Sequence, residues 1–89
     1  MTSEKNKFLP VGTVVKLKEE EKRVMIIGFY PMAMEERKIY HYVACLYPEG
    51  MLDSSKLIMF DDTKIEKICY KGFVDDEETE FKNRLIKFG

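Results

Sequence analysis

The sequence has no tryptophan, one histidine and only two cysteines in 89 residues. Each shortage removes a class of chemistry. A metal centre needs several His, Cys or carboxylate ligands at matched spacing, and His41, Cys45 and Cys69 do not supply them. Glu49, Asp53, Asp61 and Asp62 lack the alternating spacing of a calcium loop and read instead as turn and capping residues. Two cysteines are too few for a secreted disulfide framework. Both lie in apolar, strand-like runs, where a buried reduced thiol is expected. Nucleophilic catalysis needs a nucleophile, a base and an orienting group brought together. His41 and Cys45 are four apart, which in a strand puts them on one face but about 13 Å from each other. The glycines Gly12, Gly28, Gly50, Gly72 and Gly89 are scattered and form no phosphate-binding loop. The expectation is therefore a protein without enzymatic activity, metal or cofactor.

Strong charge of either sign is also missing. Fifteen basic and 16 acidic residues leave a net charge of -1, which creates no general field for nucleic acid or an anionic membrane. No apolar run approaches the roughly 18 residues of a membrane span, and Met1 to Lys7 contains no apolar signal core. The chain is read as cytoplasmic. Hydrophobic content of 45% and aromatic content of 12% are those of a folded protein rather than a disordered one. The length suits a single domain over 1–89, with a small core and a polar segment 1–7 that is expected to be disordered.

What is present is a β-rich pattern centred on Val24 to Tyr30, the longest uncharged run of large apolar side chains. As a regular strand its faces read Val24/Ile26/Tyr30 and Met25/Ile27/Phe29. A strand apolar on both faces must be covered on both, which predicts the centre of a small sheet. Before it, Phe8 to Gly12 reads as a lead-in loop, Thr13 to Leu17 as a strand, and the charged run Lys18 to Arg23 as a hairpin loop. After it, Pro31 ends pairing, and Met32 to Ile39 is expected as a loop with room for one helical turn. Tyr40 to Tyr47 is the next strand, closed by Pro48-Glu49-Gly50. Leu57 to Phe60 and Ile68 to Lys71 are short strands, with a tight turn over Thr63 to Lys67.

The period changes at the end. Phe81, Leu85 and Phe88 fall at i, i+4 and i+7, predicting a helix over 76–87. Asp75 is placed to cap it, with Glu78 at the capping-box position. Acids crowd its first turns, while Lys82, Arg84 and Lys87 lie towards its other end, as the helix dipole favours. The expected fold is α+β: a small curved antiparallel sheet of about five strands, SH3-like or small-barrel-like, with one C-terminal helix.

Tyrosine and methionine are enriched at protein interfaces. Met32 and Met34 in a loop, with Tyr42 and Tyr47 on a strand apolar on both faces, are the candidate protein-binding residues. Folding back into the core is the competing role for the methionines. Stacking of nucleic acid on Tyr30, Tyr40, Tyr42, Tyr47 and Tyr70 is disfavoured by three arginines and matched charge.

The order Leu9-Pro10-Val11-Gly12-Thr13-Val14-Val15-Lys16-Leu17, Lys22-Arg23-Val24-Met25-Ile26-Ile27-Gly28, Tyr42 and Tyr47-Pro48-Glu49-Gly50 resembles a family of small Gram-positive bacterial proteins. These are classed as a domain of unknown function and encoded beside LXG toxins in type VII secretion loci. The resemblance implies an accessory role: an adaptor or chaperone-like binding partner of a toxin, or of its helical partners, from the same locus. An immunity-like inhibitor of the cognate toxin is the alternative, and a nucleic-acid-binding small barrel ranks below both. Self-association stays open. The chain lacks a Trp-x-Gly hairpin and any Tyr followed four positions later by Asp or Glu, so it does not resemble an independent secretion substrate.

Overall fold

The computed structural model describes residues 8–88, with the side chains of 8–87. The expectation of disorder over 1–7, and the contribution of the Phe88 side chain to the helix stripe, lie outside what is described. The elements are β1 (Val14–Leu17), β2 (Arg23–Phe29), β3 (Met32–Ala33), β4 (Lys38–Ile39), β5 (Tyr42–Leu46), β6 (Ile58–Phe60), β7 (Ile65–Tyr70) and α1 (Asp76–Phe88). The main sheet has five strands in the order β6-β5-β2-β1-β7, all neighbours antiparallel. This is an α+β fold with an SH3-like strand order, in a sheet that is open rather than closed into a barrel. A short 3-10 turn over Asp62–Lys64 carries the chain from one edge strand to the other.

The strand apolar on both faces, β2, occupies the middle of the sheet. Its two faces differ from those of a regular strand. Ile26 pairs with Ala44 but Gly28 pairs with Val43, so Ile27 is an extra residue in a bulge. The bulge moves Phe29 opposite Tyr42 and turns it onto the core face with Val24 and Ile26. A Cβ on Gly28 would stand 2.9 Å from Val43 Cγ1, so a larger residue here would require the Val43 side chain to shift.

One face of the sheet carries the core: Phe8, Val15, Leu17, Val24, Ile26, Tyr42, Ala44 and Phe60. Leu85 and Ile86 of α1 pack against it, while Phe81 stays half exposed with its ring 5.9 Å from that of Phe29. The stripe of α1 is thus rotated from the expected Phe81/Leu85 line towards Ile86. The start of α1 is as expected: the Glu78 N–H donates to Asp75 Oδ1 at 2.9 Å. Glu78 does not complete a capping box; its carboxylate lies 3.4 Å from Lys82.

Thr13 ties three segments together from a fully buried position. Its hydroxyl donates to Pro10 O at 2.7 Å and accepts the Gly72 N–H at 3.0 Å, while its carbonyl accepts the Ile26 N–H at 2.9 Å. The lead-in loop, β2 and the linker between β7 and α1 therefore meet at one residue, the loop and the linker through its hydroxyl and β2 through its carbonyl.

Candidate functional site

Met32 to Ile39 do not form the expected loop with a helical turn. They make a second, two-stranded antiparallel sheet, β3 with β4, in which Met32 pairs with Ile39 and Ala33 with Lys38. Its base is fastened by Tyr40 N–H to Pro31 O at 3.0 Å and Tyr30 N–H to His41 O at 3.1 Å. Arg37 takes a left-handed conformation at φ 54° and Tyr30 one at φ 55°, sharp bends that two-residue strands need at both ends. Tyr40 braces the ribbon: its hydroxyl donates to Glu36 at 2.7 Å, and Lys38 lies 4.7 Å above its ring.

The ribbon holds Met32 and Met34 out of the core, at 49% and 77% exposure, with Ile39 beside Met32. Tyr42 and Tyr47 lie elsewhere. Tyr42 is 2% exposed inside the core, stacked on Phe60, and its hydroxyl accepts the Leu9 N–H at 3.1 Å. Its ring is a structural one, with no face left for a partner in this conformation. Tyr47 is exposed beneath the Arg23 guanidinium, which lies 5.2 Å from the ring centroid. With Val14, Met25, Cys69 and Tyr70 it lines a shallow groove on the opposite face of the sheet.

Cys45 is buried as expected, but Cys69 is exposed, because β7 is an edge strand with nothing paired on its far side among the described residues. His41 ties two segments together. Its Nδ1 accepts the Asp62 N–H at 3.1 Å and its own N–H donates to Asp61 at 3.1 Å, so it fastens the start of β5 to the turn after β6. Among the described residues no group of three or more His, Cys, Asp and Glu could hold a metal ion, and no helix is long and apolar enough to cross a membrane.

Two apolar hollows were not singled out by sequence. One, of roughly 480 Å³, opens between the ends of β1, β2, β5 and β6, with Leu17, Val24, Leu46, Ile58 and Phe60 inside and Glu20, Lys22 and Lys64 at its margin. The other, of roughly 500 Å³, lies where α1 meets the sheet: Val11, Phe29, Phe73 and Phe81 line it together with Asp75, Glu77 and Glu78. The linker run Phe73-Val74, two large apolar residues placed directly before an acidic helix start, was the available signal for the second.

Over residues 8–81 the chain matches the family described as domain of unknown function DUF4176. The chain belongs to the DUF4176 family. No curated protein and no solved structure matches it. The DUF4176 match begins at the core residue Phe8 and ends at Phe81, so it takes in the whole main sheet, the ribbon and every residue of the hollow beside α1.

The buried tyrosine has a measurable signature. Burial pushes the Tyr42 hydroxyl above its ordinary value of 10.0, against the opposing pull of the Leu9 N–H, which favours the phenolate. The folded chain therefore keeps this proton where the unfolded chain has released it. Its contribution is whole below about pH 10 and is lost as pH rises through the raised folded value. Tyr40 is also raised, chiefly by its bond to Glu36, so the test is a difference. Urea unfolding of wild type and Tyr42→Phe should show a gap in stability that is constant from pH 7 to 9 and narrows above about pH 10. Parallel curves above that pH would reject the assignment.

Proposed function

We propose that this protein is a non-enzymatic adaptor that holds an apolar segment of another protein, acting as a chaperone-like partner of a toxin, or of a helical accessory protein, encoded at the same type VII secretion locus. The observation that carries the binding role is the amount of large apolar surface the fold leaves uncovered. Met34 and Phe73 are each 77% exposed, and Met32, Ile39, Tyr70 and Phe81 are each exposed by about half or more. Isolated exposed apolar residues are ordinary, but groups of them mark contact surfaces. Here they fall into groups: on the ribbon, in the groove beside Tyr47 and in the hollow beside α1. The type VII setting is supported by the sequence resemblance, whose motifs span the lead-in loop through the turn after β5.

Co-expression with the amino-terminal region of the neighbouring toxin, and with each small helical product of the locus, tests the proposal. A complex that survives size-exclusion chromatography is expected with at least one of them, and with none the proposal falls. Protection against the isolated toxic domain, without binding to the amino-terminal region, would replace it with the inhibitor reading.

A further inference from the structure

Resting on the binding-module reading, we infer that the hollow beside α1 is the docking site for a basic amphipathic helix of another protein. Its floor is aromatic. Phe29 and Phe81 stand 5.9 Å apart between ring centroids, and Phe73 projects with most of its surface exposed. Apolar side chains one turn apart on a helix are spaced by about 5–6 Å, which suits two neighbouring rings better than it suits a compact small molecule. Its margin is acidic. Between Gly72 and Phe81 the chain has the acids Asp75, Asp76, Glu77, Glu78 and Glu80 and no base.

The helix dipole accounts for acids in the first turn, and Asp75 is used as the cap. Glu78 also belongs to that first turn and pairs with Lys82, but neither relation gives its second oxygen a donor. One carboxylate oxygen, Oε1, is buried without a hydrogen-bond partner, while Oε2 lies 3.4 Å from Lys82. A carboxylate oxygen left without a donor is costly, and the terminal torsion of a glutamate is soft enough to turn it towards one. A Lys or Arg one turn from a Leu or Phe would supply that donor at the margin while its neighbour covers Phe73 and Phe81. Recognition of an amphipathic helix by an apolar groove with opposite charge at its rim is a recurring mode of protein binding.

The test uses the full chain and two synthetic helical peptides of equal length, one of Leu and Lys and one of Leu and Glu, each with an apolar stripe. Amide shift mapping and titration at low salt are expected to show the Leu/Lys peptide binding at least tenfold more tightly, with shifts centred on Val11, Phe29 and residues 72–81. Phe73→Ser, which removes an exposed ring and leaves the core intact, should weaken it at least fivefold. Glu77→Gln with Glu78→Gln should weaken it and flatten its salt dependence. Equal affinity for both peptides, shifts centred on the ribbon or the Tyr47 groove, or no effect of Phe73→Ser would overturn the site. The adaptor reading is judged separately by the locus complex. If that complex forms and Phe73→Ser leaves it unchanged, the adaptor stands and this site falls.

Discussion

Replacing Gly72 with alanine is expected to destabilise the protein by about 3 kcal/mol or more, the upper range for forcing volume into a packed site. The added Cβ would stand 2.4 Å from Val11 O, 3.1 Å from Thr13 N and 3.2 Å from Gly12 C. All three are backbone atoms, so no side-chain rotation relieves the contact. Nor can the segment easily retreat, because Gly12 N–H donates to Ile26 O at 2.9 Å and Thr13 O accepts the Ile26 N–H at 2.9 Å. Moving Gly72 away instead would break its bond to the Thr13 hydroxyl and leave that buried oxygen without its donor. Gly50 provides the control. It has a left-handed φ of +81° but open space around its Cβ position, so Gly50→Ala should lose only the backbone term of about 1–2 kcal/mol. Urea unfolding of both variants checks the ranking. A loss for Gly72→Ala no larger than that for Gly50→Ala would show that residues 11–13 shift freely.

The same junction shows what could be read in the sequence and what could not. The central place of β2 followed from apolar residues on both of its faces, and α1 followed from its cap, its acids and its period. The bulge at Ile27 left no pattern, because every residue from Val24 to Phe29 is apolar or glycine and both phases look alike. The ribbon escaped because strands of two residues are too short to show a period of two. Cys69 was read as buried because apolar neighbours in sequence do not distinguish an edge strand from a central one. Among the candidate binding residues, Met32 and Met34 are exposed on one ribbon. Tyr42 and Tyr47 come from a strand with aromatic or apolar side chains on both faces, where composition cannot say which side is inside. The hollow beside α1 joins Val11, Phe29, Phe73 and Phe81 from four segments, and only the folded topology brings them together.

Phe8 is expected to be worth more than its position before the first strand suggests. It is buried, and its ring meets four others edge to face: Phe29 at 5.5 Å, Tyr30 at 5.3 Å, His41 at 5.9 Å and Tyr42 at 5.7 Å between centroids. Phe8→Ala should cost about 3–5 kcal/mol, the range for a large aromatic removed from a core. Burial and the aromatic pairs, each worth about 0.5–1.5 kcal/mol beyond area, are both lost. Phe8→Leu keeps most of the volume and should recover more than half of that loss; what it fails to recover measures the ring geometry. The effect reaches the hollow beside α1, because the Phe29 ring contacts both Phe8 and Phe81. Freed from Phe8, Phe29 has fewer constraints on its rotamer. Phe8→Leu should therefore weaken the Leu/Lys peptide by about threefold under conditions where it is fully folded, although Phe8 does not line the hollow. Urea unfolding and the peptide titration separate the two effects. A stability loss below about 1 kcal/mol for Phe8→Ala would mean that the lead-in segment is held by the hydrogen bonds at Leu9, Gly12 and Thr13 rather than by the ring. Unchanged peptide affinity in Phe8→Leu would mean that α1, not Phe8, sets the position of Phe29.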